Sequence, residues 1–436
     1  METGLQAIKT NIFIFFSFNF SFMTRSILDE ILGEIKPSKE EERNLRIMID
    51  EFLKKLSKIN DAKPVLGGSG AKNTYLRATH DADIFVKFNY RKFSGNSFVI
   101  SDILHKFLKK NFKKVARLHG SRDYFQININ GFTFEIVPIL DISNSEKSEN
   151  ITDTSPLHAK WVKKYPELTD EIRLAKAFCR ANGLYGAESY INGFSGYVLE
   201  ILVIFCGSFM NLLKASQKWK HKQVIDIMKY HKHPFIEVNK SKLQSPIIVI
   251  DPVQPGRNAA AALSEEKYTQ FISAARAFLK KPSKSFFKPK EFNLEKVRIK
   301  HKSRNLILLK VKPKPGTLDV EGTKILKVFE KISRQLERNE FKIVDNAWHW
   351  DKKNPAILYF ALDKKLLPAE KVLEGPPVKV KMHAEIFKKK HKKTFVKTKR
   401  LYAKVRREFR NPQEFVKKLL KDKQITGKIK KIEIIK

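Results

Sequence analysis

LGGSGAKNTYLRATHDADIFVKF, residues 66–88, joins a Gly-Gly-Ser turn to two aspartates, Asp81 and Asp83, at the mouth of an apolar strand. Side chains two residues apart in a strand point to the same face, so both carboxylates can converge on one cation. Oxygen ligands with open water positions suit magnesium, Mg²⁺. Two acids at a strand end are by themselves more often a solvated loop, but the adjoining turn favours a metal site.

A third carboxylate is needed to hold two metal ions, and Glu135 in FTFEIVPIL (132–140) supplies it. Phe134 and Ile136 face one side of that predicted strand, which leaves Glu135 on the other side. Two ions about 3.5 to 4 Å apart lower the pKa of an attacking hydroxyl and neutralise a leaving pyrophosphate. The three carboxylates therefore indicate phosphoryl transfer.

The glycine-rich turn is the expected binding place of a triphosphate. Backbone N–H groups of Gly68 and Ser69 can surround phosphate oxygens, and the Ser69 hydroxyl and Lys72 ammonium add contacts. No Gly-Lys-Ser or Gly-Lys-Thr follows, so the turn is not a Walker A loop, and it is not a dinucleotide fingerprint either.

The surrounding sequence predicts one compact α/β unit that ends near Ser155. A helical pattern follows Pro37 and Ser38, and Asn130-Gly131 supplies the positive φ of a tight hairpin turn. The other predicted elements are a strand at 63–66, a turn at 67–70, a strand at 84–88, a helix at 98–108, a strand around 115, and a hairpin of 124–129 and 132–140.

The middle third of the chain is predicted to be helical. Asp170 can cap a helix running to Ala181, and Ser195 can cap another over residues 197–205. The second run is apolar but too short to cross a membrane, so we expect a buried core helix and no membrane segment.

A linker marked by Pro282 and Pro289 precedes the last third. The order predicted there is strand 306–311, helix 319–336, strand 341–348 and strand 356–362, which is compatible with a ferredoxin-like sheet. The apolar stripe of the helix consists of Ile325, Val328, Phe329, Ile332 and Leu336.

The chain of 436 residues carries 86 Lys and Arg against 46 Asp and Glu, a formal net charge of +40. Such a field attracts polyanions, and nucleic acid suits it better than an acidic protein or a membrane surface. Residues 377–436 carry 22 basic against 5 acidic residues, with aromatic residues between them. This pattern favours a folded RNA-contacting segment over a solvated tail.

Two further features concern the compartment and the N-terminus. Cys179 and Cys206 indicate neither a disulfide framework nor a zinc site, and we expect a reducing interior. The run NIFIFFSFNFSF (11–22) resembles a signal h-region but lacks a small-residue cleavage site and is too short for a bilayer. We therefore assign no function to residues 1–22.

The turn and the acids together resemble the signature of the nucleotidyltransferase superfamily, in which Gly-Ser precedes two acids flanking one apolar residue. Four further segments, in this order, resemble the archaeal class of CCA-adding enzymes, and the likeness extends over roughly residues 24–436. They are SPLHAKWVKKY (155–165), RLAKAFCRANGLYGAESYINGFSGYVLEIL (173–202), DPVQPGRNAAAALS (251–264) and PSKSFFKPK (282–290).

The resemblance implies a role for residues whose chemistry alone suggests none. His158, Lys176 and Tyr185 match positions that hold the phosphates and sugar of the incoming nucleotide; alone they indicate a capping histidine, a solvated lysine and a core aromatic. Arg257 matches an arginine that reads the base of CTP or ATP, where a surface arginine is the alternative. A guanidinium can donate to acceptors that C and A share.

The sequence departs from the family pattern at two positions. Asn73 stands where glycine is usual, and asparagine tolerates the left-handed conformation, so the turn should survive. Glu135 stands where aspartate is usual and is one methylene longer, which changes the reach of the third ligand.

The expected fold class is multidomain α+β. The predicted segments are an N-terminal extension (1–23), a nucleotidyltransferase head or palm (24–155), a helical neck that binds nucleotide and base (156–281), a ferredoxin-like body (282–376) and a basic tRNA-binding tail (377–436). The tRNA acceptor stem should lie along the basic face of the last two.

The implied activity is template-independent addition of C, C and A from CTP and ATP to the 3′ end of tRNA, with Mg²⁺ as cofactor. Poly(A) polymerase, oligoadenylate synthetase and a non-catalytic RNA-binding protein are the alternatives. A cytoplasmic location is expected, and the sequence leaves a homodimer open.

Overall fold

The computed structural model describes residues 23–435, which divide into two compact units between Lys290 and Glu291. The apolar run 11–22 and the expectation attached to it lie outside the described residues.

The first half of the first unit is built on a mixed sheet. Within residues 23–290, strands β1 to β5 form a five-stranded sheet in the order β1-β2-β5-β4-β3, where β2 and β5 are parallel and the other pairs antiparallel. The strands are β1 (Ala62–Leu66), β2 (Asp81–Phe88), β3 (Ala116–Leu118), β4 (Tyr124–Ile129) and β5 (Phe132–Leu140). The associated helices are Lys39–Leu56, Gly68–Lys72, Tyr90–Phe93 and Ile100–Asn111.

The core of this half lies between the sheet and its two long helices. Ile84 and Ile136 of the central strands are fully buried, as is Leu104 of the Ile100–Asn111 helix. Phe52 of the Lys39–Leu56 helix stacks on Phe134 of β5, with ring centroids 3.9 Å apart. The parallel strands β2 and β5 are therefore held in place by the buried side chains on the face of the sheet opposite Glu135.

Most predicted elements of this half are confirmed, and the hairpin strands have the predicted bounds. The predicted turn at 67–70 is instead a short helix, Gly68–Lys72, and Asn73 ends it in the left-handed region with φ 54°. The expected left-handed conformation of Asn73 is therefore confirmed. The predicted helix 98–108 begins as a 3₁₀ turn and is α-helical only from Ile100.

The second half of the first unit is mainly helical. Its helices are Ser155–Val162, Thr169–Ala181, Gly196–Cys206, Phe209–Ser216, Pro234–Glu237 and Glu265–Lys280, and the short parallel strands are β6 (Gln223–Ile225) and β7 (Ile247–Val249). Ser195 caps its helix as predicted, accepting from the Val198 N–H at 3.2 Å. Asp170 is not a cap: the chain enters that helix from a 3₁₀ turn, and Asp170 lies in the first turn, bound to Arg173 and Lys36.

The apolar Gly196–Cys206 helix is a core helix, as predicted, because Leu199, Ile201 and Leu202 are fully buried. Within residues 23–435, no single helix is both long and apolar enough to cross a membrane. This helix and Phe209–Ser216 reach that length only together, and they meet at an angle of 91°.

The second unit contains a ferredoxin-like sheet. Within residues 291–435, four antiparallel strands follow the order β14-β8-β10-β9, and the chain order β8, helix, β9, β10, helix, β14 is the βαββαβ pattern. The strands are β8 (Asn305–Pro313), β9 (Ile343–His349), β10 (Ala356–Leu362) and β14 (Ile429–Ile435), and the helices of the unit are Leu294–Lys300, Leu318–Arg338, Lys381–Lys390, Pro412–Leu419 and Lys423–Thr426.

A small sheet is inserted between β10 and the second helix of this pattern. It comprises β11 (Glu370–Pro377), β12 (Thr394–Lys397) and β13 (Arg400–Arg406), in the order β11-β13-β12. The predicted division at residue 376 does not separate body from tail, because β14 pairs with β8 along Ile429–Ile435. The basic C-terminal segment is folded, and its end completes the body sheet.

The contribution of the C-terminal segment to the body core can be tested at Ile425. This side chain is fully buried in the core cluster that contains Leu309 of β8 and Phe360 of β10. We expect Ile425→Ala to lower the free energy of unfolding of the second unit by about 2 to 5 kcal/mol. Amide hydrogen exchange across β8 measures this, since protection there should fall.

Ile386 is a suitable control because its side chain is 57% exposed. Ile386→Ala should leave the exchange of β8 unchanged. If amide protection across β8 were unchanged in Ile425→Ala, the C-terminal segment and β8 would not share a core.

Candidate active site

The three predicted carboxylates lie on the central parallel strands β2 and β5. Asp83 of β2 is the register partner of Glu135 on β5. Asp81, two residues earlier on β2, is the register partner of Thr133. Ala82 between the aspartates is buried, which leaves both carboxylates on the face opposite the core. Gln126 of β4 donates a hydrogen bond of 2.6 Å to Glu135, which fixes the longer side chain within the sheet. The alternation predicted around Glu135 is confirmed.

Two of the three carboxylates, Asp83 and Glu135, have a raised pKa. Burial, then Glu135 and Asp81, raise the pKa of Asp83 to about 6. Burial also raises the pKa of Glu135. The hydrogen bond from Gln126 lowers that pKa, and the negative charge of Asp81 raises it, so the net shift is upward. The three acids thus form a negative centre that a cation would stabilise.

The oxygen-only donor set fits a hard divalent cation. Within residues 23–435, however, no three or more His, Cys, Asp or Glu side chains are placed together so that they could hold a metal ion. A site for Mg²⁺ does not require three protein ligands, because this ion commonly binds through one or two carboxylates and completes its octahedron with water and substrate phosphates.

Gly67 and Gly68 of the turn must be glycine because neighbouring side chains lie very close to their backbone. A Cβ on Gly67 would lie 2.2 Å from the Phe85 ring, and one on Gly68 would lie 1.6 Å from Oδ2 of Asp83. Gly68 also has φ +53°, which side chains disfavour. The turn therefore rests directly on the acidic centre, and Ser69 follows at the start of the short helix.

A buried carboxylate, Glu200, connects the turn to the helical half. Its Oε2 accepts from Lys72 at 2.7 Å, and its Oε1 accepts from Lys176 at 2.8 Å. Lys176 also donates to the Thr74 hydroxyl at 2.7 Å. Burial alone would raise the pKa of Glu200, but the ammonium groups of Lys176 and Lys72 outweigh it and lower that pKa to about 2.

A second buried carboxylate, Asp251, holds two of the residues to which the family resemblance gave a role. Nη1 of Arg257 donates to Asp251 at 2.6 Å, and Nε2 of His158 lies 3.1 Å from the same oxygen. The Tyr197 hydroxyl donates to the other oxygen at 3.0 Å. Burial would raise the pKa of Asp251, but His158 and Arg257 outweigh it and lower that pKa to about 2.

The two clusters meet at Tyr197. The imidazole of His158 stacks on its ring with centroids 4.2 Å apart, and the Lys72 ammonium lies 5.9 Å from the ring centroid. Tyr185 lies beside them, with the Arg180 guanidinium 4.7 Å from its ring centroid. The structure thus brings the acids, the turn and the helical-half residues into one continuous network within the first unit.

Sequence reasoning missed Glu200, Asp251 and Tyr197. Glu200 is a lone charge inside the apolar run YVLEILVIF, and Asp251 ends the apolar run IIVI. Charged residues are almost never fully buried unless they are paired. An isolated acid in an apolar run is therefore the signal that could have found both, although it does not name their partners.

Comparisons with known proteins identify the family to which the chain is similar. A family model described as tRNA nucleotidyltransferase, second domain, matches residues 170–288, and one described as CCA-adding enzyme, C-terminal domain, matches residues 319–434. The CCA-adding enzyme of Methanocaldococcus jannaschii is 34% identical over 94% of this chain and 92% of its own length. That of Nanoarchaeum equitans is 34% identical over 86% of this chain and 91% of its own length.

Among solved structures, a cytoplasmic RNA terminal U-transferase aligns with 62% of this chain and 99% of its own. The TM-score is 0.48 at 14% identity, which is too low to carry a functional argument.

The Glu200 network predicts a pH-dependent loss of stability. Glu200→Gln leaves two ammonium groups without their carboxylate, and breaking a buried ion pair typically costs about 3 to 5 kcal/mol. Since the folded pKa of Glu200, about 2, lies below the ordinary 4.5, its stabilisation is complete above pH 4.5 and is lost towards pH 2. The difference between wild type and variant should therefore be largest at neutral pH and shrink below 4.5.

Denaturant unfolding at pH 7 and at a series of lower values measures this difference. Glu167→Gln, at an exposed position of the same unit, is the matched control. A difference independent of pH would mean that the Glu200 charge is not what stabilises the site.

Proposed function

Because the chain belongs to the family of CCA-adding enzymes, we propose that Asp81, Asp83 and Glu135 are the centre at which it extends tRNA. The enzyme adds C, C and A from CTP and ATP to the tRNA 3′ end without a nucleic-acid template. The observation that carries the assignment of the centre is the register of Asp83 with Glu135 on neighbouring parallel strands.

The nucleotidyltransferase superfamily uses divalent metal ions, and we assign Mg²⁺ to this centre. Asp81 and Asp83, with Glu135 beside them, would hold the cations. Burial first, and then the negative charges of Glu135 and Asp81, raise the pKa of Asp83, and those negative charges favour a bound cation. When bound, such ions lower the pKa of the attacking hydroxyl and neutralise the leaving pyrophosphate.

In the reaction, the tRNA 3′-oxygen forms a bond to the α-phosphorus of CTP or ATP. The bond from that phosphorus to the bridging oxygen breaks, the hydroxyl loses its proton, and pyrophosphate leaves. The carboxylates fix the place of attack on β2 and β5, and the turn at Gly68 lies close enough to receive the triphosphate.

The triphosphate would be bound by Ser69 and Lys72 from the turn and by His158, Lys176 and Tyr185 from the helical half. The ion pairs with Glu200 already order the Lys72 and Lys176 side chains. Little side-chain entropy is therefore lost on binding, which favours affinity for the nucleotide.

Base selection would fall to Arg257. One of its terminal nitrogens is engaged by Asp251, which leaves the rest of the planar donor set to face a base. The tRNA acceptor stem would bind the basic second unit through its shape and phosphates, because the A-form major groove is too narrow to be read.

Family membership favours CCA addition over poly(A) polymerase, oligoadenylate synthetase and a non-catalytic RNA-binding role. A cytoplasmic location, which suits a tRNA substrate, and a homodimer are further proposals. Light scattering of the purified protein tests the second.

Removing one carboxylate should abolish transfer but not RNA binding. We expect Asp81→Ala to lower incorporation by about three orders of magnitude or more, because catalytic groups that act as a unit fail together. Affinity for tRNA should stay near wild type, since the basic residues are unchanged. Incorporation of labelled CTP, ATP, UTP and GTP, with magnesium, into tRNA lacking CCA is the measurement.

Asp50→Asn is a matched control, because this carboxylate is exposed on the Lys39–Leu56 helix. Full incorporation by Asp81→Ala would refute the assignment of the centre. Tailing with ATP alone by the wild type, on any RNA, would instead favour a poly(A) polymerase.

A further inference from the structure

The segment 251–257 (DPVQPGR), here called the arginine loop, ends in the proposed base-reading residue Arg257 and is held by side chains from elsewhere in the unit. Among the residues that the structure describes, four side chains outside the loop donate to its backbone carbonyls. They are Tyr230 to Pro252 (2.8 Å), Ser145 to Val253 (2.8 Å), His231 to Pro255 (2.9 Å) and Lys242 to Gly256 (2.9 Å).

The loop is also closed on itself. Asp251 accepts from the Val253 N–H at 2.9 Å and from Arg257 Nη1 at 2.6 Å, and its own N–H donates to the Arg257 carbonyl at 3.0 Å. Pro252 and Pro255 restrict φ and carry no N–H. A loop of this kind has few alternative conformations, so the external donors define where it lies.

His231 is itself held from several directions. Its Nδ1 lies 2.9 Å from Glu237, and its backbone N–H donates to Asp226 at 2.9 Å. The Nε2 that faces the Pro255 carbonyl must be protonated to donate, and the carboxylate at Nδ1 favours the doubly protonated ring. Such an imidazolium gives a stronger hydrogen bond than a neutral donor.

We propose that Tyr230, Ser145 and His231 are positioning residues for base discrimination. They fix the arginine loop so that the Arg257 guanidinium can donate hydrogen bonds to C and A but not to U or G. The proposal rests on the role given to Arg257 above. Discrimination by hydrogen bonding requires donors held at fixed positions, because a mobile guanidinium can re-aim at the acceptors of a wrong base.

The experiment measures kcat/KM for CTP and for UTP on tRNA lacking CCA, with the full-length chain and magnesium. We expect Tyr230→Phe and His231→Ala to lower the CTP-to-UTP ratio about tenfold each, the size typical of one lost hydrogen bond to a charged or well-aligned group. General loss of folded enzyme would reduce both values equally and leave the ratio unchanged. His231→Gln should restore most of the ratio, because its amide can still donate to the Pro255 carbonyl.

Two controls separate the possible failures. His221→Ala alters an exposed histidine of the same unit and should leave the ratio at the wild-type value. Arg257→Ala should lower the ratio at least as far as any loop variant. If it does not, both the role of Arg257 and the present proposal are overturned.

If Arg257→Ala lowers the ratio and the loop variants do not, the proposal alone is overturned. Tyr230→Phe removes a single oxygen and keeps the ring, so it decides the question even if His231→Ala folds poorly.

Discussion

The site depends on one buried carboxylate that binds two ammonium groups. Glu200 sits fully buried in a core helix and accepts from Lys72 on one oxygen and from Lys176 on the other. Without Glu200, two cations close to each other would repel, and Lys176 would be buried unpaired. The ion pairs therefore position the glycine turn of the sheet against the helical half, and they hold the Lys72 and Lys176 side chains in fixed places.

The acids of the site divide into two kinds according to their partners. Glu200 and Asp251 each face cationic side chains, which lower both pKa values to about 2. Burial, with the neighbouring acids Glu135 and Asp81, raises the pKa of Asp83 to about 6. The first kind organises the protein, and the second kind remains available to a cation from solution. This division supports the metal assignment independently of family resemblance.

Sequence reasoning found what is local and missed what is distant. The hairpin at Asn130, the cap at Ser195 and the left-handed Asn73 follow from short-range backbone preferences, and all three are confirmed. The partners of Glu200 lie 128 and 24 residues away in sequence, and no periodic pattern encodes such a pairing. The sequence predicts a turn where the short helix Gly68–Lys72 lies because glycines disfavour a helix, whereas close packing against Phe85 and Asp83 requires Gly67 and Gly68.

The C-terminal segment is a second case in which a pairing between residues distant in sequence could not be predicted. Its charge and aromatic residues indicated a separate RNA-binding tail, yet β14 is the strand that completes the body sheet. In IKKIEII the two lysines are exposed and Ile429 is buried, and only the pairing with β8 shows where the strand belongs. Exposed basic residues and buried core residues therefore lie side by side in one strand, so charge composition does not mark a domain boundary. The pairing with β8 also gives Lys431 a defined place on the body sheet, because a paired strand has far less backbone freedom than a free tail.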